Sequence, residues 1–290
     1  MIFPRRPVFA PEDVFVNTGQ REEKPNMFNI MKKTLIAAAA VLLIVSCGPK
    51  KTSRELQDDF KAGIEQIYAS YKAEEISEDE ADSALRELCS VTIKKNPDDS
   101  VALMALQNCY YLMDDDELSQ VIGQIGKSFA DSESVQKIRK SIEARKGTGE
   151  GAIFTDFTVV QDANDPEGST VKFSDFVGKG KYVLVDFWAS WCGPCKREIP
   201  NIAAVYDKYK GENFDVLSVA VWDKPEDTAK AAAEHKVVWN QITNAQRIPT
   251  DIYGIDGIPH IMLVAPDGTI VKRNLRGDDI EAAVKEALGL

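Results

Sequence analysis

Apolar residues recur at spacings of three and four from Ser53 to about Lys146. Leu56, Phe60, Ile64, Ile67 and Tyr71 form one stripe, and Leu85, Leu88, Val91 and Ile93 form the next. That period predicts amphipathic helices. Ser77-Glu78-Asp79-Glu80 offers an N-cap with acids in the first turn, and Asn96-Pro97-Asp98-Asp99 marks a turn and the next start. Further helices are expected over 101–113, 118–129 and 135–142, without a repeat clean enough for a tetratricopeptide array. Gly147-Thr148-Gly149-Glu150-Gly151 then breaks the pattern. Beyond it, 154–160 alternates like a strand, 162–169 reads as a turn, and 182–188 is a nearly continuous apolar strand. A helix over 194–210, a strand over 214–221 and a helix over 226–235 follow. Strands at 261–265 and 269–275 flank the Pro266-Asp267-Gly268 turn, and 278–288 closes as a helix. Alternating strands and helices predict an α/β module with a partly parallel sheet that ends in a hairpin.

Composition narrows the function. The chain has 290 residues, 44% of them hydrophobic, which is long enough for one large or two modest cores. A formal charge of −11 leaves no surplus of Lys and Arg to displace phosphate counterions, so nucleic-acid binding is excluded. Five cysteines are too few for a disulfide-stapled miniprotein of this length.

The N-terminus reads as export machinery. The longest apolar run, 35–45, follows Lys32-Lys33 and ends at Ser46-Cys47-Gly48. It is shorter than the roughly 18 residues of a spanning helix, so it reads as a signal-peptide core. Ile44-Val45-Ser46-Cys47 resembles a bacterial lipobox, which implies lipidation of Cys47 and a mature chain beginning there. Residues 1–30 carry Pro4, Pro7, Pro11 and Pro25 without periodicity and read as a mis-assigned leader, with Met31 or Met27 as the biological start. The expected organisation is therefore leader 1–30, signal 31–46, anchor linker 47–52, helical domain 53–146, linker 147–151 and α/β domain 152–290.

The chemistry sits at Trp191-Cys192-Gly193-Pro194-Cys195, where a strand gives way to a helix. Two cysteines at this spacing can close a disulfide across the helix's first turn, whose unpaired amides stabilise a thiolate on Cys192. Pro194 is tolerated in that turn. A zinc site would need further ligands, yet there is no second Cys-x-x-Cys and only His235 and His260 remain. Covalent haem attachment would need His where Lys196 stands. Cys89 and Cys109 lie among Leu, Met and Tyr at helical spacing, as buried core thiols or as a mutual disulfide. Asp114-Asp115-Asp116-Glu117 reads as a solvated helix start.

The run Val183-Leu184-Val185-Asp186-Phe187-Trp188-Ala189-Ser190-Trp191-Cys192-Gly193-Pro194-Cys195-Lys196 resembles thioredoxin. Phe157, Gly178-Lys179, Glu198-Ile199-Pro200, Gly257-Ile258-Pro259 and Asp267-Gly268 are similar to the TlpA/ResA branch of membrane-tethered thioredoxin-like proteins. The resemblance covers about 140 residues, from Gly151 to the C-terminus. The preceding helices resemble, more weakly, those found before this module in some Bacteroidetes lipoproteins. A thioredoxin-like fold is implied, with a central mixed sheet flanked by helices and preceded by a small all-α domain.

The resemblance assigns roles. Cys192 attacks a substrate disulfide, and Cys195 resolves the mixed disulfide. Asp186 matches a buried carboxylate that accepts the Cys195 proton, with a raised pKa expected from its apolar strand. Glu198 matches an acid that tunes thiol acidity, although a first-turn helix carboxylate is the plainer reading. Ile258-Pro259 resembles the residue-plus-cis-Pro pair that faces the disulfide, with Ile258 pairing with a substrate strand. Trp191, Gly193, Pro194 and His260 complete the expected substrate contacts, while Trp188 is core and Pro200 matches a helix kink. No metal or other cofactor is implied.

The implied activity is that of an extracytoplasmic, lipid-anchored thiol-disulfide oxidoreductase facing the periplasm. It would reduce protein disulfides with electrons from a membrane thiol donor, cytochrome c maturation being one family role. A disulfide oxidase or isomerase would use the same residues. A non-catalytic adaptor gripping partners through its helical domain is the third reading.

Overall fold

The structure is a computed structural model that describes residues 51–162 and 164–290. Residues 1–50, on which the expected leader, the expected signal segment and Cys47 fall, lie outside the described residues. The chain divides into two compact units, Met1–Thr92 and Ile93–Leu290, and the glycine-rich stretch 147–151 lies within the second. Among the described residues no helix is long and apolar enough to cross a membrane.

The first unit contains helix α1, Ser53–Lys72, and most of α2, Glu78–Lys95. Both begin with reciprocal caps. The Glu55 amide donates to Thr52 Oγ1 while the Thr52 amide donates to Glu55 Oε2. Ser77 and Glu80 repeat the pattern at the start of α2. Each such box satisfies amides that the helix itself leaves unpaired. Phe60 and Ile67 of α1 and Leu88 of α2 are fully buried, as the sequence stripes require. Cys89 and Cys109 are both buried, and neither is a free thiol.

The second unit opens with α3, Ser100–Cys109, α4, Asp115–Gly123, and α5, Glu133–Gly147. Two of these helices are shorter than the apolar pattern suggests. After Cys109 the chain makes one 3-10 turn, Tyr110–Leu112, because Asp114 must be extended to cap α4 through the Asp116 and Glu117 amides. Helix α4 stops at Gly123 rather than near 129. There the Gly126 amide donates to the Pro97 carbonyl and the Asp98 carboxylate accepts Ser128, which draws the chain into a turn.

Next come strands β1, Thr158–Val160, and β2, Thr170–Lys172, paired antiparallel. The main sheet is built from β3, Tyr182–Trp188, β4, Phe214–Ala220, β5, Asn240–Ile242, β6, His260–Val264, and β7, Ile270–Lys272. Its order is β5-β4-β3-β6-β7, with β3, β4 and β5 parallel and β6 and β7 antiparallel. The helices are α6, Gly193–Tyr209, α7, Pro225–Glu234, α8, Ile248–Tyr253, and α9, Asp278–Leu288. Sequence pattern misses β2, β5 and α8, each too short for a period to register. It also overextends β1, which spans only Thr158–Val160 of the expected 154–160.

Strand alternation sorts the core onto two faces. Leu184 and Trp188 share a core with Ile199 and Ile202 of α6 and with Ile280 and Val284 of α9. Val183, Val185 and Phe187 face the other core, with Phe157, Phe173, Tyr253 and Met262. Asp186 has the parity of Leu184 and Trp188. Its side chain therefore stands on the face covered by the helix that follows Cys192.

Candidate active site

Strand β3 ends at Trp188, and four residues later Cys192 is the N-cap of α6. Cys192 and Cys195 form a disulfide with Cα atoms 5.3 Å apart. The Cys195 amide lies 3.1 Å from Cys192 Sγ, so a donor at the helix start is aimed at the sulfur that would carry charge on reduction. Pro194 occupies the first turn, where its missing N–H costs nothing, and both Gly193 and Pro194 are exposed beside the sulfur pair. Both cysteines are themselves buried.

Asp186 is 2% exposed and lies opposite Ser218 across the parallel β3–β4 pair. Ser218 Oγ donates to Asp186 Oδ2 at 3.4 Å and accepts the Trp239 indole N–H at 2.8 Å. Asp186 Oδ1 has no hydrogen-bond partner. Burial pushes the Asp186 carboxyl up to about 7; the Ser218 hydrogen bond and the Arg276 guanidinium oppose the rise, and the Glu198 charge adds to it. The sequence marks Asp186 as the polar break in an apolar strand. Ser218 gives a similar but weaker sign in β4, and Trp239 gives none.

Glu198 is half-buried one turn beyond Cys195. Its Oε2 accepts the Gly277 amide at 3.1 Å, ahead of α9, and the Asn201 side-chain amide at 2.9 Å. The first contact ties α6 to the start of α9, the second lies within α6, and the Glu198 charge raises the Asp186 carboxyl. Pro200 lies inside α6, and Trp188 is buried with the core around the disulfide.

Trp191 is 58% exposed, and its indole N–H donates to the Trp222 carbonyl at 3.0 Å. Trp222 adopts a left-handed backbone, φ 55°, which a bulky side chain rarely accepts. Beside it the buried Asp223 carboxylate gathers four donors: the Ser190 amide and hydroxyl, the Lys224 amide and the Thr228 hydroxyl. The two residues before Cys192 are thus braced from the end of β4. Nothing in the sequence pattern singles out Trp222 or Asp223.

The Ile258–Pro259 peptide is cis, and the Ile258 carbonyl oxygen lies 3.7 Å from Cys192 Sγ. Arg276 donates to the Pro259 and Leu275 carbonyls. His260 pairs in register with Phe187 rather than with Asp186, which sets its ring on the opposite sheet face, 6.1 Å from the Phe187 ring. His260 Nε2 faces both Arg273 Nε and NH2 at 3.3 Å. Burial, and then the Arg273, Arg276 and Arg145 charges, hold His260 down to about 3. The structure thus gathers Cys192, Cys195, Asp186, Trp191, Ile258 and Pro259 around one end of β3, while His260 is turned toward Arg273. Among the described residues no cluster of three or more His, Cys, Asp or Glu could hold a metal ion.

Comparison with known proteins bears on the same region. Residues 151–273 match the AhpC/TSA family. The thiol-disulfide oxidoreductase ResA of Bacillus subtilis is 29% identical over 128 residues, covering 44% of this chain and 68% of that protein. ResA of Geobacillus thermodenitrificans is 28% identical over 125 residues, 43% of this chain and 70% of that protein. A solved thioredoxin domain of a thiol-disulfide oxidoreductase from Bacteroides vulgatus is 37% identical, covering 48% of this chain and 96% of that one, with a TM-score of 0.42.

Proposed function

We propose, from the premise that this chain belongs to the TlpA/ResA-like thioredoxin family and is a thiol-disulfide oxidoreductase, that it reduces disulfides of exported proteins through Cys192 and Cys195. The observation that carries this reading is the Cys192–Cys195 disulfide at the start of α6, with Asp186 on the sheet face beneath it.

In the reduced protein, the Cys192 thiolate attacks one sulfur of a substrate disulfide. The substrate S–S bond breaks, a mixed disulfide forms, and the other substrate sulfur leaves as a thiolate that takes a proton from water. Cys195 then gives its proton to the Asp186 carboxylate and attacks Cys192 Sγ. The mixed disulfide breaks, and the second substrate sulfur leaves as a thiolate that takes a proton from water. Asp186 returns its proton to solvent, and the Cys192–Cys195 disulfide is left behind. Two electrons have passed to the substrate, and a thiol donor at the membrane restores the dithiol. Asp186 suits its part because a carboxyl held near 7 exchanges protons readily at neutral pH.

The remaining assignments concern place and purpose. Trp191, Gly193, Pro194, Ile258 and Pro259 form the substrate-facing rim, and Glu198 adjusts proton affinity at Asp186. His260 contributes to the rim through the Ile258–His260 backbone rather than through its ring. Lipidation of Cys47 would hold the protein at the bacterial envelope, facing the periplasm, since more than one buried acyl chain gives a stable anchor. Maintaining apocytochrome cysteines reduced for cytochrome c maturation is the physiological task this reading favours.

Trapping tests the proposal. In Cys195→Ser the mixed disulfide cannot be resolved, so envelope proteins should accumulate on Cys192 and be released by dithiothreitol. A chain that captures no protein through Cys192 would favour the adaptor instead.

A further inference from the structure

The Ile258 carbonyl that faces Cys192 lies on the segment running from Gly254, which ends α8, to His260, which starts β6. Helix α5 holds this segment from behind. Arg145 NH1 donates to the Gly254 carbonyl at 3.1 Å and pairs with Asp256 Oδ2 at 2.6 Å. The Ser141 hydroxyl donates to the same Asp256 oxygen at 2.8 Å. The rest of the guanidinium is fixed by Asp115 of α4, with Nε and NH2 each 2.7 Å from Oδ1. The approach is close: a Cβ added at Gly254, whose φ is 62°, would stand 2.5 Å from the Ser141 carbonyl oxygen.

A second arginine closes the other side. Arg273 donates through NH1 to the Thr148 carbonyl and hydroxyl just past α5, and through NH2 to the Tyr253 carbonyl at 2.7 Å. It also faces His260 Nε2. Two planar guanidinium forks thus fix both ends of the segment, a geometry Lys could not reproduce.

We infer that Arg145 and Asp256 are positioning residues for protein substrates: they make α4 and α5 the backing of the loop that presents Ile258 beside Cys192. The thiols sit at the start of α6 and do not touch this clamp. Loosening it therefore impairs the docking of a polypeptide against Ile258 and leaves the sulfur chemistry intact. A small disulfide, which needs no strand-like contact, is insensitive to the clamp. This rests on the reading of Ile258 as a substrate contact.

The test compares full-length wild type, Arg145→Met and Asp256→Asn in turnover on insulin with dithiothreitol as donor. It also compares them in a single turnover on the small disulfide dithiobis(2-nitrobenzoate), after each protein has been reduced and freed of dithiothreitol, which would otherwise reduce that reagent directly. In both variants the KM for insulin should rise about tenfold, the scale expected for a displaced positioning group, while the rate with the small disulfide stays within about twofold. Circular dichroism checks folding. Should Arg145→Met fail to fold, the nearly isosteric Asp256→Asn decides alone. An unchanged KM for insulin in a folded variant overturns the inference, as does a parallel loss with both substrates, which would mark a merely structural role. Wild type that reduces neither disulfide would instead refute the proposed activity itself.

Discussion

Ser218 Oγ accepts the Trp239 indole N–H at 2.8 Å and lies 3.4 Å from Asp186 Oδ2, so its single proton is directed at the carboxylate. The pair is set by strand register, Asp186 lying opposite Ser218 between β3 and β4. Ser218 stabilises the ionised form of an acid whose burial favours the neutral one. Removing the hydroxyl in Ser218→Ala should push the Asp186 carboxyl higher. In the proposed mechanism Asp186 is the base for resolution by Cys195, so the pH at which thiol exchange accelerates should move upward. At pH 7 the rate should fall roughly three- to tenfold, since a shift of one pKa unit corresponds to a tenfold change. A pH–rate profile checks this, and one superimposable on wild type would remove Ser218 from the account.

The same carboxyl predicts a stability profile. Asp186 holds its proton up to about 7 in the folded chain, against an ordinary value of 3.8. Between these values the folded state binds a proton that the unfolded state lacks, so stability falls as pH rises through this window and levels off above it. At about 1.36 kcal/mol per pKa unit, the ionised group costs on the order of 4 kcal/mol at pH 8. Asp186→Asn should therefore raise the denaturation midpoint at pH 8, with the gain shrinking toward pH 4. Equal gains at both pH values would contradict the buried-acid reading.

His260 should be silent near neutrality. Burial and three neighbouring arginines hold it down to about 3 against 6.5, so the folded ring stays neutral where an unfolded one would charge. Its share of stability is present above 6.5 and is lost as pH falls toward 3. The imidazole C2 proton, followed by NMR, should show no titration between pH 5 and 8. A midpoint near 6.5 would place the ring in solvent, away from Arg273.

Asp223 should matter for stability and for the approach to Cys192. Its carboxylate accepts the Ser190 amide at 2.6 Å and the Ser190 hydroxyl at 2.8 Å. Asp223→Ala leaves buried donors unmatched, a loss of about 1–3 kcal/mol for each group left unsatisfied. Urea denaturation of the variant should show at least that loss, and an unchanged midpoint would mean that solvent replaces the carboxylate.

Legibility in the sequence followed the length of each pattern. The 182–188 run and the 278–288 helix match β3 and α9 at both ends, since six apolar residues of seven and three amphipathic turns leave few alternatives. Three-residue strands such as Asn240–Ile242 carry no period, and their existence depends on a neighbour, here β4. The helix ends at Cys109 and Gly123 were hidden because Asp114 and Asp98 act through side-chain bonds that compete with helical continuation. In the site, Cys192, Cys195, Asp186 and the Ile258–Pro259 pair were visible as residue types in a fixed order. Ser218, Asp223, Arg273 and Arg145 were not. Their importance comes from strands and loops that meet only after folding, and an arginine on a polar helix reads as surface until its carboxylate partners are in place.

The most direct test of the central claim is the reduction of insulin disulfides by the full-length protein with dithiothreitol as donor, followed as turbidity, in wild type and Cys192→Ser. Catalysed precipitation by wild type, falling to the uncatalysed rate in Cys192→Ser, is the result that the Cys192–Cys195 disulfide predicts. Catalysis that persists without the Cys192 sulfur would contradict it.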